Sequence, residues 1–517
     1  MGIIKDTIAR FASGIGLASG TGAIKNFEAG RSARRLKMFS TTTQAINATI
    51  LTYGRSVRAR SRYLCANNAY ANAAQRAYVS GLVGDGIKPN PITDGNVSLK
   101  QELKRRWSEW ATYCDFDGRL DFYGLQAQVG RELFAAGEVF IRIMPSQAEM
   151  MEGDVPLQIQ VLPSEMLDLA DNDTLANRRM GIEFDQTGRR VAYNFFRFHP
   201  GDGTSGGSSE KVRVPAEEVI HIYDLMEPGQ IRGVPVLVSA IVPLAMLDAY
   251  EDAELERKRT AALFSGFITR PEVNAGNFPL EGLNIEQDTS LAQDAVGLQP
   301  GAMVELGPGE NVAFAEPADL GGSYEAFMYR QLSRLAAGVG VPYAHMTADL
   351  RQVNYSSMRA GLIDFRRRIS ATRNHIMIHQ FCNPVRNRWL TEAVMTGAVP
   401  ISPNDYLSNT RMLQRCDWIA TRWEWLDPVK DLQGEVLAVD NLFKPRSEVV
   451  EGMGYDAEEA DMRAAEDKER AEALGLTGGG GQQPMDEEQP EDDGDEPDPA
   501  EQDGEEQDDE EQSDAAS

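Results

Sequence analysis

Residues 245–264 read AMLDAYEDAELERKRTAALF, a long helical stretch of unusual character. Asp248, Glu251, Asp252, Glu254 and Glu256 fill its first part, and Arg257, Lys258 and Arg259 follow. That order complements a helix dipole, negative toward the N-terminus and positive toward the C-terminus. Glu254 stands four residues before Lys258, the favourable orientation for an ion pair on one helix face. No wide apolar stripe runs along it. A helix polar nearly all round either bridges solvent or packs against polar neighbours.

Upstream, residues 65–243 read as a mixed α+β body. Leu99, Leu103, Trp107 and Trp110 fall on one helical face after the breaker Lys88–Asp94. Val139, Ile141 and Ile143 alternate as in a strand, as do Leu157, Ile159 and Val161. Asp185-Gln186-Thr187-Gly188 between Ile182–Phe184 and Val191–Phe195 signals a hairpin. Gly201–Ser209 reads as a flexible loop.

Downstream, a small β unit includes Ala302–Leu306 and Asn311–Ala315. A second helix is predicted from about Ser323 to Ala337, with Tyr324, Phe327, Gln331 and Leu335 on one face and Gly338, Gly340 and Pro342 to stop it. A polar loop runs through Asn354, and a helical stretch from Met358 to about Val394 should kink at Pro384. Arg359, Arg366 and Arg373 recur every seven residues and so share a face of it.

The ends differ in charge. Of the 517 residues, 51 are basic and 79 acidic, a net of −28. Pro484–Ser517 holds 18 acidic residues and no basic one, which leaves a net of −10 for residues 1–483. Such a tail cannot bury enough apolar surface to fold. Residues 1–64 hold 11 basic residues and two acidic ones, with clusters at Arg31–Lys37 and at Arg55, Arg58, Arg60 and Arg62. A basic arm of this kind binds phosphate backbone or packs on an acidic neighbouring subunit, and charge alone does not choose between them.

Composition sets further bounds. Hydrophobic content of 42% rules out a wholly disordered chain. The cysteines Cys65, Cys114, Cys382 and Cys416 are far apart and form no C-x-x-C pair, which argues against a disulfide framework and for a reducing compartment. The longest nearly apolar run, Gly233–Leu247, has 15 residues and two prolines, short of the roughly 20 a membrane span needs. The N-terminus lacks the apolar core of a signal peptide.

Enzyme motifs occur without their context. Gly203–Gly207 satisfies G-x-S-x-G, and Gly201–Gly206 satisfies G-x-G-x-x-G, but both lie in the Gly/Ser loop rather than between a strand and a helix. No G-x-x-x-x-G-K-[ST] phosphate loop occurs. His375 and His379 lie four apart but lack the Glu and third ligand of a zinc site. Asp115/Asp117 and Asp171/Asp173 lack the Gly and distal Glu of a calcium loop, and the spacing of His345, Asp349 and Ser356 supports no triad. No catalytic residue, cofactor site or metal site is expected.

Five ordered elements carry a resemblance. They are Ala59–Arg62 with Asn67–Ala71 and Val83–Pro89; Ile231–Pro235 with Tyr250–Leu255 and Ala261–Ile268; Pro300-Gly301 with Glu305–Glu310; Gly338–Tyr343; and Asn354–Arg359. In that order the sequence resembles the lambda-type portal proteins of tailed bacteriophages over most of residues 40–460. The resemblance implies a non-enzymatic ring, usually of twelve subunits, at one capsid vertex of the virion and assembled in the host cytoplasm. Implied partners are the terminase large subunit, the major capsid or scaffold protein, head-completion or tail adaptor proteins, and double-stranded DNA passing non-specifically.

Laid on this chain, the family's parts would be an N-terminal basic arm (1–64), an α+β wing (65–243), a first stem helix (244–264) and a clip (265–321). A second stem helix (322–340), a channel loop (341–357), upper wing and crown helices (358–465) and a disordered acidic tail (466–517) would follow. Stem residues would include Glu254, Lys258 and Arg259. Channel or DNA-facing candidates are Arg351, Asn354, Arg359, Arg366 and Arg373. For the three regularly spaced arginines, pairing with acids of a neighbouring subunit is favoured over DNA contact, because DNA must slide and strong phosphate contacts would brake it. The alternative of a nucleic-acid-processing enzyme would need the phosphate loop or metal site that the sequence lacks. A capsid decoration or tail adaptor protein would leave the ordered central elements unexplained.

Overall fold

The computed structural model describes residues 43–146, 153–202, 210–263, 267–269, 311–313, 324–351, 355–425 and 427–476. The chain divides into two units, Met1–Ala457 and Glu458–Ser517.

In the first unit, α1 (Ile46–Asn67) and α2 (Ala69–Leu82) meet at Asn68, whose side chain caps α2 by accepting from the Ala71 N–H at 2.8 Å. After β1 (Lys88–Pro91) come α3 (Val97–Tyr113) and α4 (Phe122–Ala136). Asp121 caps α4 through the Gly124 N–H, and Gly137 ends it in the left-handed region at φ 81°. The predicted α3 face is buried at Leu103, Trp107 and Trp110, with Leu99 packed at its edge.

β2 (Glu138–Pro145) is the centre of an antiparallel sheet, between β3 (Leu157–Pro163) and β8 (Val219–Tyr223). Ile141 sits opposite Val161 on one side and Ile220 on the other. A second sheet is a meander of β4 (Arg178–Arg179), β5 (Ile182–Phe184), β6 (Arg190–Phe196) and β7 (Lys211–Pro215). The predicted turn closes β5 onto β6, with Asp185 accepting from the Thr187 and Arg189 N–H groups and Gly188 at φ 84°. Two cores result. One gathers Trp107, Trp110, Phe122, Phe381 and Trp389; the other gathers Ile50, Phe140, Ile182, Tyr193 and Phe195.

α5 (Ile241–Leu263) is the polar helix, and it begins four residues before the predicted Ala245. β9 (Phe267–Thr269) pairs antiparallel with β10 (Asn311–Ala313). The predicted strand Ala302–Leu306 lies outside the described residues, as do most of the Gly201–Ser209 loop and the clip between 270 and 310. α6 (Tyr324–Val339) buries Met328, Leu332, Leu335, Ala336 and Val339. Of the predicted row Tyr324, Phe327, Gln331 and Leu335, Leu335 is buried and Tyr324 packs at the core's edge, while Phe327 is exposed.

α7 (Tyr343–Thr347) leads to α8 (Tyr355–Thr372), which continues through a ten-residue π-helical segment, Arg373–Cys382, into α9 (Asn383–Met395). The irregularity near Pro384 is this π-helical segment, which ends two residues before the proline. The helical stretch predicted from Met358 to about Val394 runs from Tyr355 to Met395, and a strand lies beyond it. Beyond α10 (Pro403–Leu413), β11 (Cys416–Ile419) returns to pair with β1, Trp418 opposite Pro89. α11 (Pro428–Asp440), α12 (Arg446–Gly452) and α13 (Ala457–Ala473) follow. The region read as tail from 466 starts inside α13, which runs to Ala473 with the exposed pairs Arg463–Glu459 and Arg470–Asp467.

The four cysteines are free, and burial raises the thiols of Cys65, Cys114, Cys382 and Cys416. None of the described helices is long and apolar enough to cross a membrane.

Candidate stem and channel site

The segment entering α5 is held by charges that have no access to water. Glu138, the first residue of β2, is fully buried, and its carboxylate lies 2.6 Å from Arg232, 2.8 Å from Arg58 and 3.1 Å from His221 Nε2. It also accepts the Gly233 N–H at 2.7 Å. Arg232 spends its remaining donors on the carbonyls of Met180, Ser164 and Leu167, and Arg58 donates to the Gly233 carbonyl. Burial alone would push the Glu138 carboxyl up, yet Arg232 and Arg58 hold it well below the usual range. Burial lowers Arg58 to about 10 and pulls His221 down to about 4, so at neutral pH the imidazole is uncharged and donates from Nε2 to the carboxylate.

Backbones meet at the same point. A Cβ on Gly137 would fall 2.0 Å from the Val234 carbonyl carbon, and one on Gly233 would fall 2.1 Å from the Gly137 oxygen. Only glycine permits that approach. The cluster therefore fastens α1, β2, β8 and the 229–235 loop together a few residues before α5 starts.

This corrects the reading of residues 55–62 as part of a free basic arm. They lie in α1, and the side chains that face inward are satisfied within the chain. Arg58 joins the Glu138 cluster, and Arg62 bridges Glu132 at 2.6 Å and Glu165 at 2.7 Å, which raises its pKa. Arg55 and Arg60 remain exposed. Residues 1–42 lie outside the described residues.

On α5, Glu254 pairs first with Arg257 at 2.7 Å, while the predicted partner Lys258 stands 3.9 Å away with its ammonium over the Tyr324 ring. Arg259 pairs with Glu256 at 3.1 Å in full exposure. Tyr250 stacks on Tyr324 and meets Phe327 at a steep tilt, and Ser239 donates to the Gly338 carbonyl. α5 and α6 are thus antiparallel neighbours. Beside them lies an open cleft of about 930 Å³ lined by Tyr70, Glu251, Tyr324, Tyr329, Tyr343 and Arg351.

The channel candidates separate. Arg351 is exposed at the rim of that cleft and holds Asp349 at 3.0 Å and Glu325 at 3.1 Å; its hydrogen bonds pull the Asp349 carboxyl to about 2. Asn354 lies outside the described residues. The three regularly spaced arginines each find a partner within their own chain. Arg359 pairs with Asp431, Arg366 donates to the Glu424 carbonyl, and buried Arg373 donates to the Leu82 and Gly81 carbonyls at the end of α2. Arg366 and Arg373 both lie over the Trp423 ring. A face-forming spacing is satisfied here by a strap that returns 50 residues later in the chain, which periodicity does not reveal.

His375 and His379 are exposed on the π-helical segment, where residues four apart no longer stack. Among the described residues no group of three His, Cys, Asp or Glu side chains could hold a metal ion. Sequence reasoning missed Glu138 and His221. The available signals were an acid directly after a helix-ending glycine and the i, i+3, i+7 spacing of Arg58, Ser61 and Cys65, which marks a buried helix face.

Comparison with known proteins is consistent in one direction. A family model described as phage portal protein, lambda family, matches residues 32–373. A protein of Halomonas phage phiHAP-1 with the name probable portal protein is 25% identical over 441 residues, covering 81% of each chain. Portal protein B of Escherichia phage lambda is 22% identical over 480 residues, covering 86% of this chain and 89% of its own. Among solved structures, a chain from the neck of a native GTA particle is similar over 80% of this chain and 95% of its own, at 14% identity and a TM-score of 0.41.

Proposed function

The chain belongs to the lambda family of phage portal proteins, and from that premise we propose that it works as a ring at one capsid vertex through which double-stranded DNA enters and leaves the head. The connector role is the family's. The finer assignments extend it: about twelve subunits per ring, docking of the terminase large subunit, contact with major capsid or scaffold protein, and a tail or head-completion adaptor below. Assembly would take place in the host cytoplasm before the ring is built into the virion.

The observation that carries this reading is α5. A 23-residue helix leaves Val242, Met246 and Leu255 exposed beside charges of both signs. Such a surface makes sense when the missing neighbours are copies of the same helix round an axis. In this reading the wing spans 65–243, α5 and α6 form the stem, residues around 265–321 the clip, residues 341–357 the channel loop, and α8 to α12 the upper wing and crown. Arg351 and Asn354 stay as channel-facing candidates. Arg373 is reassigned to holding the π-helical segment against the end of α2, and Arg359 and Arg366 to tying α8 to residues 423–431.

Portal proteins are structural, and we propose that this chain has no nuclease or ATPase activity of its own. Negative-stain microscopy of the purified chain should show rings with a central hole. A strictly monomeric chain under all assembly conditions overturns the proposal, and clear intrinsic nuclease or ATPase activity overturns its non-enzymatic part.

A further inference from the structure

An open apolar groove lies between α1 and the segment that leads into α5. Ile46, Ile50, Tyr53 and Val57 of α1 line it together with Met226 and Val238. Ile50 is buried, whereas Tyr53 and Met226 are each 61% exposed. An apolar patch of this kind marks a surface that another segment covers. The groove holds about 280 Å³. An apolar cavity of about 150 Å³ takes up benzene, so there is room here for about two large side chains.

The start of the chain fits it in position, spacing and charge. Gln44 lines the groove, and the described residues begin at Thr43, so residues 1–42 join the fold at this site. Within them Ile4, Ile8 and Phe11 stand at i, i+4 and i+7, the anchor spacing of a helix that lies in an apolar groove. No stretch of residues 16–42 repeats it, and Gly14 and Gly16 follow where it ends.

The lengths agree as well. The seven positions from Ile4 to Phe11 span about 10 Å as a helix, and the eleven from Ile46 to Val57 about 16 Å. Residues 12–43 lie between, and a chain of that length reaches roughly 100 Å when extended, ample to return to its own groove. Lys5 and Arg10 flank the apolar row, with Asp6 the single acid nearby. Glu227 at the groove is exposed and has no ion-pair partner among the described residues.

We propose that residues 4–11 dock in this groove of their own chain, with Ile8 and Phe11 inserted and the basic flank beside Glu227. The tether favours the same chain, because joining the segment at the groove raises its local concentration there. Docked, it staples α1 to the root of α5 from outside, as the Glu138 cluster does from within. The proposal concerns the single chain and does not depend on the ring reading.

Hydrogen exchange of the full-length chain, read by mass spectrometry, tests it. Amides 4–11 should exchange about ten-fold slower than in a synthetic peptide of residues 1–15, whatever the chain concentration. Ile8→Asp/Phe11→Asp should remove that protection. So should Tyr53→Asp/Met226→Asp, at positions exposed enough to leave the fold intact. Exchange of 4–11 at the free-peptide rate in the wild type overturns the proposal, as does protection that survives the groove substitutions. Protection that fades on dilution overturns docking within one chain and points to the groove of another copy. Should the groove variant lose its helical circular dichroism, disulfide trapping decides instead. Ile8→Cys/Tyr53→Cys should form an intrachain bond under mild oxidation, and Ala9→Cys/Tyr53→Cys, with its thiol on another helix face, far less of it; equal yields overturn the proposal.

Discussion

The core around Glu138 and the exposed side of α5 solve the same problem in opposite ways. Around Glu138 every charge is buried and answered within the chain, by Arg58, Arg232 and His221. Along α5 the charges and several large apolar side chains stay at the surface, with Met246 69% and Val242 62% exposed. α11 takes this further, with no buried residue at all. A subunit can leave such surfaces open only if its own core already holds it together. The contrast is a division of labour between a core that satisfies itself and surfaces, such as those of α5 and α11, that other copies can complete.

The largest effect should come from breaking the wing side of this contrast. Glu138→Ala would strand two buried guanidinium groups, and removal of one partner from a buried ion network costs about 3–5 kcal/mol. Urea unfolding of the unassembled chain should show that loss. Trp107→Ala, which empties the centre of an aromatic cluster with Trp110, Phe122 and Trp389, should cost a similar ~3–5 kcal/mol.

Acid should act on the same side and more gradually. His221 titrates near 4 in the folded chain and near 6.5 when unfolded, so between these values the unfolded chain binds a proton that the folded one refuses. Its contribution is complete above about pH 6.5 and is lost as the pH falls toward 4. Glu138, also depressed, adds loss in the same direction below the ordinary carboxylate range. The melting temperature of the chain should fall across that window, and His221→Phe should flatten the upper part of the slope. An unchanged melting temperature from pH 7 to pH 4 would break the argument.

The surface side should respond the other way. Leu437 is 61% and Phe443 85% exposed, so Leu437→Ser/Phe443→Ser should leave single-chain stability within about 0.5 kcal/mol per site. Ring stability toward dilution should drop, as followed by size-exclusion chromatography. If urea unfolding of the unassembled chain fell as far as in Glu138→Ala, the division of labour would be wrong. The smallest effect is expected at Arg259→Gln, whose pair with Glu256 is solvent-screened; neither melting nor ring yield should change measurably.

Local patterns were legible in the sequence and distant closures were not. The α3 face at Leu103, Trp107 and Trp110, the alternation in β2 and β3, and the Asp185–Gly188 turn each depend on residues within one element, and all are present. The polar helix was also readable, because its unusual charge is itself a local pattern. Glu138 was not, since its partners lie 80 or more residues away and an acid in an apolar strand looks like an edge position. The arginines of α8 failed for the same reason. Their spacing defined a face, but the Trp423 strap and the end of α2 that occupy it come from distant sequence. The basic run at 55–62 misled because its net charge drew more notice than its helical spacing. Bulk charge misleads likewise: most of the −28 lies in the last 34 residues, and the rest of the chain is only mildly acidic.

The tryptophans give the molecule an optical signature. Trp107, Trp110, Trp389 and Trp418 have neighbouring ring centroids 4.8–6.5 Å apart at steep mutual angles. Indoles that close share their excited states, so the wing core should announce itself as a paired band in near-ultraviolet circular dichroism. Trp423, with two guanidinium groups over its ring, should emit separately and shift its colour when the 423–431 strap lifts. One cuvette can thus follow folding of the wing and closure of the crown without a label.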